Sequence, residues 1–127
     1  MNEYINDCSL GGTCGGCFYC NESYKEQLDA KNEHVEGLIR EAVAPYGYEY
    51  RYEGIISSPL IFEYRNKMEY SFGDEVKEGP LTLGLHKRGS FYDILTVEDC
   101  RITDGDFRLI LTATRDFFAE KAIPYFH

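Results

Sequence analysis

Four cysteines crowd between Cys8 and Cys20, and a fifth, Cys100, stands far along the chain. An odd number of thiols so unevenly spread fits poorly with the disulfide framework of a secreted module, so metal or redox chemistry is the expectation. Thiolate ligands come in close pairs because one short loop then delivers two sulfurs at a fixed angle, and a distant residue closes the site when the chain folds back. Cys14-Gly15-Gly16-Cys17 is such a pair, and Cys8, six positions earlier, can reach the same centre. Cys100 lies in Val97-Glu98-Asp99-Cys100-Arg101-Ile102, where folding could return it to the N-terminal loop. Gly15 and Gly16 are expected to allow a tight, positive-φ turn whose N–H groups face the sulfurs. Cys20 reads as a small, partly buried side chain rather than a ligand.

A C-x-x-C pair serves several chemistries. A thioredoxin-like site needs a strand leading into the pair, and nothing before Cys14 could form one. Tetrahedral zinc stays open beside an iron–sulfur centre, because spacing does not separate them. Among the cations, Arg65 and Lys67 could clamp phosphates from an exposed strand face. The plainer reading is a solvated face paired with Glu63 and Glu69. Lys87 and Arg88 occupy a turn, where solubility accounts for them equally well. The eleven tyrosines suggest a base-stacking surface. The alternation of Phe62, Tyr64, Tyr70 and Phe72, however, is what any half-buried strand shows. His34, His86 and His127 have no partner at metal-ligand spacing and read as ordinary histidines.

The elements that would position these residues follow from periodicity. Residues 1–22 have no helical or strand period and read as a loop. Ser23 and Glu26 form a capping box, and Leu28, Val35, Leu38, Ile39 and Ala42 recur at helical spacing, predicting a helix to about Ala44 that Pro45 and Gly47 end. Tyr50, Tyr52, Ile55 and Ile56 predict a strand, and Phe62 to Phe72 a longer one. Leu81, Leu83 and Leu85 predict another strand, followed by a Lys87–Ser90 turn and a strand from Phe91 to Val97. Asp104 or Asp106 would cap a last helix whose apolar face is Phe107, Ile110, Leu111, Thr114, Phe117 and Phe118, running to about Ala122 before Pro124. The fold class is α+β: an antiparallel sheet of about four strands flanked by an N-terminal and a C-terminal helix. The Cys-rich loop, 1–22, precedes the α+β part, 23–127.

At 127 residues with a net charge of −9, the chain is about one domain long and poorly suited to gripping nucleic acid unaided. No apolar run approaches the roughly 20 residues that span a bilayer. Met1–Asp7 is polar and acidic where a secretory leader would be basic and then apolar, so a cytoplasmic location is expected.

The pattern C-x(5)-C-G-G-C, followed at long range by a lone cysteine in V-x-x-C-x-I, resembles the ribosomal-RNA uracil-5-methyltransferase family. The likeness continues in Tyr24, Gln27, Leu28 and Lys31, in Tyr64-Arg65-Asn66-Lys67, and in Gly84-Leu85-His86-Lys87-Arg88-Gly89-Ser90, so it covers nearly the whole chain. It implies a [4Fe–4S] cluster on Cys8, Cys14, Cys17 and Cys100, and it places Arg65 and Lys67 in the element facing RNA, with Lys87 and Arg88 in the matching turn. It further implies an enzyme that moves a methyl group from S-adenosylmethionine to C5 of a uracil in structured, ribosomal RNA. The family's TRAM-type domain has no counterpart ahead of Cys8. Its S-adenosylmethionine site, nucleophilic cysteine and general base have none after Cys100. The expectation is therefore the cluster-bearing central piece of a longer enzyme, with no catalytic residue, with the catalytic domain as partner, and inactive alone. A zinc-binding interaction module and a small iron–sulfur electron carrier are the rivals from other classes.

Overall fold

Ser23 starts the first helix by the reciprocal arrangement its sequence context predicts. Its hydroxyl accepts the Glu26 N–H at 3.2 Å, and the Glu26 carboxylate accepts the Ser23 N–H at 2.7 Å. Two otherwise orphaned donors are satisfied, and a cap of this kind stabilises a helix by about 1 kcal/mol. Helix α1, Tyr24–Val43, follows, with Lys25–Asp29 and Glu36–Arg40 pairs one turn apart on its surface. A 3₁₀ turn, Ala44–Tyr46, carries Pro45 in its first positions and ends at Gly47, whose φ of +63° suits a residue without Cβ.

The computed structural model describes residues 8–125, which fold as two units: 22–59, and 8–21 together with 60–125. The readings placed on Met1–Asp7 and on His127 lie outside the described residues.

In the first unit the strand expected at Tyr50–Ile56 does not form. The segment instead runs back along α1. The Tyr52 hydroxyl donates to Asn32 Oδ1 at 3.2 Å, and the Ser58 N–H donates to the Tyr24 hydroxyl at 2.7 Å. An extended segment becomes a strand only when a neighbour offers free N–H and C=O groups, and a helix has already used its own. Ile56, expected to pack, is 95% exposed. No residue of α1 is buried, and Val35 and Leu38 of its predicted apolar stripe are exposed.

The second unit holds the sheet: β1 (Ser71–Asp74), β2 (Leu81–His86) and β3 (Ile94–Thr96), antiparallel in that order. Phe72 pairs with Leu83 and Leu85 with Leu95, so the predicted meander forms, but the strand expected over Phe62–Phe72 survives only at its last two residues and runs on to Asp74. Among the described residues the sheet has three strands rather than about four. The segment before β1 spends its backbone elsewhere, with the N–H groups of Glu63 and Arg65 donating to the carbonyls of Arg101 and Ile102 at 2.9 Å. Gly84 is required by packing, since a Cβ there would meet the Leu95 carbonyl oxygen at 1.9 Å.

Helix α2, Gly105–Glu120, begins where Asp104 accepts the Asp106 N–H at 2.8 Å. Leu111 is buried against Leu83 and Val97 as the core, and Phe118 meets Phe72 at a ring separation of 4.6 Å. Of the expected apolar face, Leu111 is buried and Phe107, Thr114 and Phe118 are half-buried, so only its edge is misplaced. Ile110 and Phe117 are exposed, while Arg108 and Arg115 lie half-buried on the inner side. Periodicity finds apolar positions but does not anticipate arginines recruited inward by carbonyl and carboxylate partners.

Candidate metal centre

The Cys-rich loop is stitched to the end of β2 by backbone bonds. Cys14 N–H reaches back to the Leu10 carbonyl at 3.0 Å, Gly15 N–H donates to the His86 carbonyl at 2.9 Å, and Arg88 N–H donates to the Thr13 carbonyl at 2.7 Å. Cys14 and Lys87 pair as an isolated antiparallel bridge. The glycines of the Cys14–Cys17 turn are needed for a reason different from the one expected. Neither has a positive φ, but a Cβ on Gly16 would meet Leu85 Cδ1 at 2.6 Å, and one on Gly15 the His86 carbonyl oxygen at 3.0 Å. Close approach to β2, rather than handedness, is what a side chain would disturb here: backbone at Gly15, and at Gly16 the end of the Leu85 side chain, which can turn aside. The expected N–H to sulfur contact is present, from Gly16 to Cys14 Sγ at 3.3 Å.

Two arginines hold the remaining pieces. The Arg88 guanidinium donates to the carbonyls of Cys14 and Cys17. Arg108 donates to the carbonyls of Cys100 (3.0 Å) and Thr103 (2.6 Å) and to the Glu63 carboxylate (2.8 Å), while the Thr103 hydroxyl also caps Cys100 O at 3.0 Å. Ser9 Oγ donates to Asp99 Oδ2 at 2.8 Å, joining the neighbour of Cys8 to the neighbour of Cys100 across the chain. All five cysteines line one cavity whose other walls are largely apolar, with Leu10, Leu85, Val97 and Ile102 among them. None is in a disulfide.

Burial pushes the thiols of Cys8 and Cys14 up, and that of Cys17 up to about 11, with nearby Cys100 and Cys20 adding to the effect at Cys17. Thiols so placed stay protonated at neutral pH unless a cation replaces the proton. Soft sulfur donors in an apolar cavity, with an N–H aimed at one of them, suit a thiophilic metal or an iron–sulfur cluster. Among the described residues no three His, Cys, Asp or Glu side chains are set around a single ion. The sulfurs stand on the walls of the cavity.

No family model matches the chain. An uncharacterized RNA methyltransferase of Clostridium acetobutylicum is 44% identical over 119 residues, which is 94% of this chain and 25% of that protein. Another, of Caldanaerobacter subterraneus, is 40% identical over 125 residues, 98% of this chain and 27% of its own. Over nearly its whole length the chain is similar to a segment of proteins named RNA methyltransferases. It spans about a quarter of the length of the relatives it matches. A more distant relative, the tRNA (uracil(54)-C(5))-methyltransferase of Pyrococcus horikoshii, is 28% identical over 91% of this chain and is covered to 25%.

Within the second unit the cysteines come together on one cavity, but the four candidate RNA contacts have separate surroundings. Arg65 is exposed and joins Thr103 by one parallel bridge. Lys67 faces Glu69 at 2.8 Å, both largely exposed, which matches the plainer sequence reading of that face. Lys87 and Arg88 lie against the cysteine loop, and Arg88 is committed to its carbonyls. Sequence reasoning did not anticipate the roles of Arg88, Arg108 or the Ser9–Asp99 bond. For the last there was a signal, since each partner adjoins a cysteine; for Arg108 there was none. Cys20, expected to be partly buried, is 7% exposed and accepts the Gly12 N–H at 3.1 Å. No helix among the described residues is long and apolar enough to cross a membrane.

Proposed function

We propose that this chain is the iron–sulfur-bearing, RNA-positioning part of an S-adenosylmethionine-dependent 23S rRNA uracil-5-methyltransferase that works in the cytoplasm. Cys8, Cys14, Cys17 and Cys100 hold a [4Fe–4S] cluster. The observation that carries the reading is the shared cavity: thiols from two distant stretches of the chain line one apolar hollow, in a protein related to RNA methyltransferases. The cluster, when bound, supplies a cross-link and no bond-making. Comparable structural zinc sites contribute on the order of 10 kcal/mol to folding.

The protein's own residues prepare the site. Arg88 fixes the carbonyls of Cys14 and Cys17, Arg108 and Thr103 fix that of Cys100, and the Gly16 N–H offsets charge on Cys14. Arg65, Lys67 and Lys87 are the cations assigned to RNA phosphates, while Arg88 is taken up by the loop carbonyls. With a net charge of −9, this part contributes orientation rather than most of the affinity. Methyl transfer to a uracil drawn out of its stack falls to the catalytic part of a longer enzyme, so this chain alone transfers no methyl group.

Iron, zinc and sulfide are to be measured on protein prepared without oxygen, together with a visible spectrum. About four irons and four sulfides per chain are expected. One zinc without iron would replace the reading with a zinc-binding interaction module. A fully reversible redox cycle coupled to a reductase would replace it with an electron carrier.

A further inference from the structure

Five thiols line a cavity for which the proposed cluster needs four. The fifth, Cys20, follows Cys17 at the same spacing by which Cys17 follows Cys14, so Cys14-Gly15-Gly16-Cys17-Phe18-Tyr19-Cys20 is two overlapping C-x-x-C pairs. Its side chain is buried rather than directed to solvent, and the Gly12 N–H at 3.1 Å holds its sulfur in place. Gly12 has a φ of +79°, so the turn that delivers this donor tolerates a side chain poorly.

From this arrangement we infer that Cys20 is a stand-by ligand: a buried thiol that takes over iron coordination when a ligand of the N-terminal loop, Cys17 in the first instance, is lost. The inference rests on the cluster reading above and adds a residue to it. The exchange is a simple substitution. The Cys20 S–H proton passes to water, a sulfur lone pair forms the new bond to the iron left open, and the iron keeps its oxidation state. Gly12 N–H, which already points at this sulfur, then donates to a thiolate and strengthens. Cys100, supplied from the far side of the cavity by another segment, has no such substitute.

The test is the iron and sulfide content of anaerobically reconstituted full-length chain, with far-UV circular dichroism as the check on folding. Alanine replacements are used because alanine cannot ligate. Cys17→Ala is expected to keep iron within about twofold of wild type, and Cys17→Ala/Cys20→Ala to lose it by more than about tenfold. A folded Cys17→Ala protein that loses its iron as fully as the double variant overturns the stand-by role while leaving the cluster reading intact. Loss of iron in Cys20→Ala alone also overturns it, because Cys20 would then be a resident ligand. If Cys17→Ala does not fold, Cys14→Ala and Cys14→Ala/Cys20→Ala make the same comparison: iron kept in the single variant and lost in the double supports the role, and equal loss in both overturns it. Wild-type chain without iron and sulfide would remove the cluster reading, and this inference with it.

Discussion

The two units of the chain are held together by different kinds of interaction. In residues 22–59 the helix is held by local contacts, a capping box over three residues and ion pairs one turn apart, with no buried residue in it, and only hydroxyl contacts tie to it the segment that doubles back along α1. In residues 8–21 and 60–125 the contacts join distant stretches: Ser9 to Asp99, Arg88 to Cys14 and Cys17, and Leu83 and Val97 to Leu111. The thiols lie in the second kind of structure. A centre built from both ends of a sequence needs a core to bring them together, whereas a capped helix needs only its own residues.

The largest difference should appear on removing metal. Cys100→Ser is expected to lower bound iron more than about tenfold, and to open residues 8–21 to protease while α1 keeps its helical signal. Metal content and limited proteolysis with mass-spectrometric mapping decide this. Next comes Leu111→Ala, which leaves a cavity beneath the sheet and should cost about 2–5 kcal/mol in denaturant unfolding. A loss below about 1 kcal/mol would mean that Leu111 is not the centre of the core.

Gly16→Ala should cost about 1 kcal/mol, because its Cβ meets the Leu85 Cδ1 methyl and pushes that side chain off its preferred rotamer. Pairing it with Leu85→Ala should return less than the sum of the two single losses, and strict additivity would show that the close approach is not the cause. Ser23→Ala should cost about 1 kcal/mol and appear in the helical signal at 222 nm, with iron content unchanged.

The smallest effect concerns Tyr70. Its buried hydroxyl has no hydrogen-bond partner, while the Thr103 hydroxyl beside it donates to the Cys100 carbonyl. Burial raises its phenol above the ordinary tyrosine value. The stability contributed by the neutral phenol is therefore complete below the ordinary value of 10.0 and is lost as pH rises through the higher folded value. Tyr70→Phe should be neutral or slightly stabilising at pH 7 and should flatten the alkaline end of the stability curve. An unchanged alkaline slope would assign that loss to other groups.

How much was legible in the sequence tracks the same division. The start and end of α1, the caps of both helices and the β1–β2–β3 meander were readable because each depends on neighbours a few residues away or on simple alternation. The strand expected at Tyr50–Ile56 was not, because an extended, aromatic segment looks the same whether a sheet edge or a helix lies beside it. The inner face of α2 was legible at Leu111 and Phe118 but not at its edge, where Arg108 and Arg115 rather than Ile110 and Phe117 turn inward, to partners, Glu63 and Glu98, that lie far away in sequence.

For the candidate site, residue type and spacing alone singled out Cys8, Cys14, Cys17 and Cys100 as a set, since close pairs plus a distant thiol are what metal ligation by thiolates requires. Only the tertiary structure could put Cys20 on the same cavity, give Gly15 and Gly16 their packing role, and turn Arg88 from a surface cation into a clamp on the loop. The physical reason is that ligand identity is written in side-chain chemistry, which any sequence displays. Who lies against whom depends on how the backbone of β2 meets the loop, and that is decided by bonds between residues more than 70 positions apart.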